Sequence, residues 1–124
     1  MTYNELYENV SILVQQFKKL GIKRGDTIAG FIPNMPQAII AMLAAASIGA
    51  TWSSCSPDFG VKGVIERFSQ INPKILFITD QYFYNGKKIN IIDRLPEILK
   101  AIPSIKNVLV INYPGKSFVG YKKK

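Results

Sequence analysis

Two stretches of this 124-residue chain hold side chains whose types and spacing can do chemistry. The first is Trp52-Ser53-Ser54-Cys55-Ser56-Pro57-Asp58-Phe59-Gly60, whose small residues leave the backbone approachable. It reads as the end of a strand with a helix about to begin, where open α/β sheets hold their ligands. The free N–H groups of such a helix start attract anions. The same residues equally make a Ser/Pro turn in which Asp58 or Ser56 caps the helix, and the pattern leaves both readings open. The second stretch is Tyr82-Phe83-Tyr84-Asn85-Gly86-Lys87-Lys88. Aromatic faces beside two lysines on a hairpin tip suit a stacked base and a neutralised phosphate. The plain alternative is an exposed turn with solvated lysines.

Other chemistries fail at the level of composition. The chain has no histidine, which removes Ser-His-Asp and Cys-His triads and every His-containing metal site. Its single cysteine, Cys55, forms no internal disulfide and no CxxC ligand pair, and fits a reducing compartment. Without a basic partner nearby in sequence, Cys55 is read as a small packed residue. Asp58, Glu66 and Asp80 are too dispersed to pair by spacing. Gly115-Lys116-Ser117 resembles the end of a phosphate-binding P-loop, but the glycine required five residues earlier is Val110. There is no G-x-G-x-x-G fingerprint. Asn9-Val10-Ser11 fits a glycosylation triplet but falls within a helical pattern. No catalytic residue and no metal ligand is assigned.

Sixteen basic residues against eight acidic ones make the net charge +8. Lys122, Lys123 and Lys124 account for three of them, and the rest are scattered singly or in pairs. A nucleic-acid binder concentrates its bases on one helix or stripe, so attraction for a small anionic ligand is the better expectation. Hydrophobic residues make up 48%, ordinary for a packed domain. Met1-Thr2-Tyr3-Asn4-Glu5 carries no export signal. The longest apolar run, residues 38–50, falls short of the roughly 20 residues that a membrane span needs. It is expected to be a buried helix, and the protein is expected to be cytoplasmic.

The elements that must position the two stretches follow from periodicity. Thr2-Tyr3-Asn4-Glu5 is a capping-box pattern, and Leu6, Val10, Leu13, Val14 and Phe17 recur at helical spacing. Gly21 can close that helix, expected over residues 3–20. A short strand at residues 27–32 stops at Pro33, and Pro36 opens a second helix to about residue 48. A strand over 50–53 leads into a polar loop at 54–58, and a third helix covers 61–70. Residues 74–78 read as a β-branched strand, Asn85-Gly86 as a type I′ hairpin turn, 91–102 as a fourth helix and 107–111 as a last buried strand. Alternating strands and helices imply an α/β fold, a mostly parallel sheet with helices on both faces.

Several of these segments together resemble the adenylate-forming (acyl-CoA synthetase) superfamily. Thr2-Tyr3-Asn4-Glu5-Leu6 is similar to its first core motif, and Ala41 to Ala50 to its second. Gly21 to Asp26, Ile32 to Pro36, Arg67-Phe68, Pro73-Lys74 and Tyr84-Asn85-Gly86-Lys87 fit the same pattern. The loop Trp52 to Gly60 resembles the acetoacetate-activating branch, where acetyl-activating members carry Gly-Gly-Phe. The resemblance covers residues 2 to about 112. It implies part of the large N-terminal domain over 1–115, with 116–124 a basic, unassigned tail. It also implies a ligase that uses acetoacetate, ATP, Mg²⁺ and coenzyme A (CoA) through an acyl-adenylate, with neither nucleic acid nor membrane as partner.

By the same resemblance, Tyr84, Asn85, Gly86 and Lys87 contact CoA, and Ser56, Pro57 and Asp58 line its pantetheine side. At Lys87 the acetyl-activating members are expected to carry arginine. The superfamily's Ser/Thr/Gly-rich phosphate loop, ribose-binding acid, hinge and C-terminal lysine have no counterpart in this sequence. The chain is therefore expected to be inactive alone, with one face of its sheet uncovered. The alternative is a free-standing α/β module that holds an anionic metabolite or nucleic acid.

Overall fold

The computed structural model describes residues 2–33, 36–56, 60–84, 87–111 and 118–122. Helix α1 spans Tyr3–Lys19, and its N-cap Thr2 accepts a hydrogen bond from the Glu5 N–H at 3.1 Å. At its other end Gly21 adopts φ +79°, the left-handed conformation that glycine takes at little cost. The Gly21 N–H bonds the Lys18 carbonyl and the Ile22 N–H bonds the Phe17 carbonyl. This is the Schellman closure, which satisfies two carbonyls the helix would otherwise leave bare.

The strands β1 (Thr27–Phe31), β2 (Thr51–Cys55), β3 (Ile75–Thr79), β6 (Asn107–Ile111) and β7 (Phe118–Lys122) form one sheet in the order β2-β1-β3-β6-β7. The first four run parallel, and β7 pairs antiparallel to β6. β7 thus takes residues of the segment set apart above as a basic tail onto the sheet edge. A separate hairpin of β4 (Gln81–Tyr84) and β5 (Lys87–Asn90) sits between β3 and β6 in sequence.

Strand order assigns the helices to their faces. The step β1→β2 moves one way across the sheet, whereas β2→β3 and β3→β6 move the other way. Since parallel crossovers are right-handed, α2 (Pro36–Ser47) must cover one face, and α3 (Val61–Ser69) with α4 (Leu95–Ala101) the other. The two cores agree. Ile28, Ile75 and Phe77 pack with α1 and α2, while Ala29, Phe31, Leu76 and Ile78 pack with α3 and α4. Side chains alternate across a strand, so β1, β2, β3 and β6 each feed both cores. Every residue of β3 is buried, as a central parallel strand requires.

Four expectations need correction. The fourth helix is not continuous over 91–102: a 3₁₀ turn at Ile92–Arg94 precedes α4 at Leu95–Ala101. Pro96 is the reason, since proline is tolerated in a helix's first turn and not in its interior. The strand expected at 50–53 lies over Thr51–Cys55, so Ser54 and Cys55 belong to β2 rather than to the loop. Both faces of the four parallel strands are covered; among the described residues the open apolar surface is the outer side of the α1–α2 layer instead. Accordingly α2 is buried only along Gln37, Ile40, Ala41, Ala44 and Ala45, while Ile39, Met42 and Leu43 are exposed.

Candidate functional site

The sheet reverses its strand order at β1, which lies between β2 and β3. In open α/β sheets the crevice beyond the carboxyl ends of the strands at such a point is the usual ligand site. Here that edge is built by Phe31-Ile32-Pro33 at the end of β1, Cys55-Ser56 at the end of β2 and Thr79-Asp80 at the end of β3. The Ile32 N–H donates to the Cys55 carbonyl at 3.2 Å, extending the β1–β2 pairing past the last residue of β1. Ile32, Pro33, Ser54, Cys55 and Ser56, with Ala38 from the first turn of α2, line a cavity of about 270 Å³.

Of the loop residues singled out in the sequence, Ser56 is half-buried on this cavity wall. Pro57 and Asp58 lie outside the described residues. Cys55 is buried, and burial pushes its thiol above the ordinary value, with partial opposition from the Arg67 charge. A neutral, enclosed thiol is a packing group rather than a nucleophile. The cavity lining is thus mainly apolar, with Ser54 and Ser56 its polar members.

The hairpin rises from the same edge of the sheet, directly after β3. The Asp80 carbonyl accepts from the Ile91 and Ile92 N–H groups at 3.0 and 3.1 Å, and the Asp80 N–H donates to the Ile111 carbonyl at 3.1 Å. Those bonds fasten the hairpin's base to β3 and β6. Within it Tyr84 pairs with Lys87 across a connection of two residues, the loop length that Asn-Gly favours. Asn85 and Gly86 lie outside the described residues, as does the P-loop-like Gly115-Lys116-Ser117.

Just past the hairpin, the Arg94 guanidinium stands 5.9 Å from the centroid of the Phe31 ring. This cation–π contact ties the segment after β5 to the end of β1. Sequence reasoning missed Arg94 and the cavity walls Ile32, Pro33 and Ala38. An arginine in a short helical turn carries no local sign of its ring partner, which sits 63 positions earlier. Thr79 is fully buried at the end of β3, and its Oγ1 has no hydrogen-bond partner among the described residues.

At the opposite edge the Asp26 carboxylate accepts the Lys23 N–H at 2.7 Å and the Lys74 ammonium at 3.1 Å. The backbone hydrogen bond, then Lys74, hold its carboxyl below the ordinary carboxylate value, against an opposing effect of burial. That edge is a structural clamp between β1 and β3. Among the described residues no three His, Cys, Asp or Glu side chains converge on a common point. No helix among them is long and apolar enough to cross a membrane.

Comparison with known proteins places these features in context. Residues 1–120 match a family model described as AMP-binding enzyme. The chain is 48% identical over 113 residues to the acetoacetyl-CoA synthetase of Macaca fascicularis, covering 91% of this chain and 17% of that protein. It is 44% identical over 117 residues to the acetoacetyl-coenzyme A synthetase of Rhizobium meliloti, covering 94% and 18%. Among solved structures, the acetoacetyl-CoA synthetase from Streptomyces lividans superposes with a TM-score of 0.88 at 39% identity, covering 94% of this chain and 18% of that one. This chain thus spans less than a fifth of the relatives it matches.

Proposed function

The chain belongs to the AMP-binding enzyme family, and on that premise we infer that it is part of the N-terminal domain of an acid–thiol ligase. The overall reaction converts acetoacetate, ATP and CoA to acetoacetyl-CoA, AMP and pyrophosphate. The observation that carries this reading is the agreement with acetoacetyl-CoA synthetases along nearly the whole chain. Adenylation turns a carboxylate oxygen into a leaving group, which the CoA thiol then displaces. The partial domain takes in residues 1–115; 116–124 is a basic extension whose strand β7 adds to the sheet edge. Its work belongs in the cytoplasm, with small molecules as partners.

In this reading the segment serves the CoA end of the reaction. Its sequence has no Gly-rich phosphate loop, and its described residues have no acidic cluster for Mg²⁺. ATP and Mg²⁺ are accordingly assigned to the rest of the protein. Tyr84, Asn85, Gly86 and Lys87 meet the nucleotide of CoA. Lysine supplies a point charge for phosphate, glycine permits close backbone approach, and tyrosine offers a face for stacking. Ser56, with Pro57 and Asp58, borders the pantetheine arm, and the cavity beside Ser56 is lined mainly by apolar residues.

The test is Lys87→Ala in the full-length protein. A single charge-assisted contact contributes about 1.5–3 kcal/mol, so the KM for CoA should rise on the order of ten- to a hundredfold. Acetoacetate-dependent pyrophosphate exchange should stay unchanged. If exchange falls as far as thioester formation, the hairpin does not hold CoA. If the unsubstituted full-length protein shows no acetoacetate-dependent exchange, the ligase assignment itself fails. The 124-residue chain alone should release no pyrophosphate above blank.

A further inference from the structure

Helix α4 begins at Leu95, and the half-buried Arg94 is its N-cap residue, with no side-chain cap hydrogen bond. Ser, Thr, Asp and Asn serve that position well, and a cation there opposes the helix dipole. Helix stability therefore does not account for this arginine. Its guanidinium stands instead 5.9 Å from the centroid of the Phe31 ring. Phe31 is fully buried in the core beneath α3 and α4. It pairs in register with Cys55 on β2 and with Ile78 on β3. The two residues after it, Ile32 and Pro33, line the cavity beside Ser54 and Ser56. Arg94 thus reaches from the trailing end of the hairpin to the strand that leads into the cavity wall.

The hairpin is a two-stranded sheet of its own, and such a pair is marginal without outside support. Among the described residues, the backbone hydrogen bonds that close its base and tie it to β6 all involve Asp80. Bonds gathered at one residue act as a pivot and leave the tilt of the hairpin open. Ile89 and Ile92 pack against the α3–α4 core, but apolar contact has no direction of its own. A guanidinium held over a ring face does. We propose that Arg94 is a positioning residue for CoA. Resting on Phe31, it sets the tilt of the hairpin that bears Tyr84 and Lys87 relative to the cavity wall at Ile32 and Pro33. CoA is long, with a nucleotide at one end and the pantetheine thiol at the other, so gripping both needs a fixed distance between their sites. A hairpin free to tilt must be ordered on binding, which weakens affinity without touching the chemical step. This assignment rests on the reading that Tyr84 and Lys87 meet the nucleotide of CoA, and adds what holds them in place.

Arg94→Met in the full-length protein keeps the length of the side chain and removes its charge. The KM for CoA should rise about two- to fivefold, the effect of one partly exposed cation–π contact. The kcat at saturating CoA and the KM for ATP should hold. In a Phe31→Leu background the same substitution should add nothing, because the ring is already gone. Amide exchange in the absence of CoA gives a second readout. The peptide over 81–90 should exchange faster in Arg94→Met, while the β3 peptide over 75–79 keeps its protection. An unchanged KM for CoA, where Lys87→Ala raises it, overturns the role of Arg94 and leaves the CoA reading standing. If Lys87→Ala does not raise it either, the CoA reading fails and this assignment with it. Equal rises with and without Phe31 overturn it too, since Arg94 then does not act through the ring. Should Phe31→Leu fail to fold, Arg94→Lys decides: its ammonium keeps a cation at the ring and must recover part of the loss, or the proposal is wrong.

Discussion

The indole of Trp52 occupies the space that a side chain at Gly30 would fill. A Cβ built on Gly30 would lie 2.5 Å from Cη2 and 2.8 Å from Cζ2 of that ring. Gly30 pairs in register with Phe77 on β3, and the Trp52 and Phe77 rings meet edge to face with centroids 5.8 Å apart. Phe77 in turn meets Phe17 of α1 at 6.0 Å. A glycine on β1 thus opens a trough through which an aromatic row links the edge strand to the helix layer.

Gly30→Ala should therefore destabilise the chain, because the indole cannot swing away without losing Phe77. Overpacking of this kind costs about 1–3 kcal/mol. The measurement is a urea midpoint, and Trp52→Leu in the Gly30→Ala background should recover part of the loss. No recovery would mean that the ring is not what excludes the side chain.

Phe77→Ala should cost more, since it removes the centre of the row from a fully buried position. Large aromatic truncations cost about 3–5 kcal/mol, comparable with the whole stability of a small domain. Loss of the cooperative thermal transition at 25 °C is the expected result. A variant with a near-native transition would show that α1 and β2 hold the layer without it.

Asp26 sets an acid limit. Its carboxyl titrates below the ordinary carboxylate value when folded, so the native state favours the ionised form. Its stabilisation is fully present above the unfolded value and is lost as pH falls through the lowered folded value. Partial exposure and solvent screening keep the contribution to about 1 kcal/mol. Asp26→Asn should remove it and flatten the corresponding part of the acid stability curve, measured by circular dichroism in urea from pH 6 to pH 2. An unchanged curve would exclude Asp26 as the linked group.

Cys55 should resist thiol reagents. Burial both shields the sulfur and raises its pKa, which lowers the thiolate fraction at a given pH. At pH 8 the folded chain should react far more slowly than the same chain in denaturant. Equal rates would place Cys55 in solvent and dismantle the cavity wall described above.

Much of this was legible in the residues themselves, wherever the signal was local. The capping residue Thr2, the closing Gly21 and the spacing of Leu13 and Phe17 delimit α1 to within one residue. The hairpin register around Asn85-Gly86 follows from a two-residue turn, and the α/β class from alternation of strands and helices. Local reading failed where a competing local rule went unweighed, as when Pro96 broke the fourth helix. It failed too where pairing with another strand decided the outcome, as when β2 carried Ser54 and Cys55 into the sheet. Contacts between distant positions belonged to the tertiary structure alone: Asp26 with Lys74, Arg94 with Phe31 and Trp52 over Gly30. Likewise, the composition of α2 shows that both its stripes are apolar, but only the packed fold shows which one meets the sheet and which is left open. Periodicity records that a face must be buried; the order of the strands, set by pairings across the whole chain, determines against what.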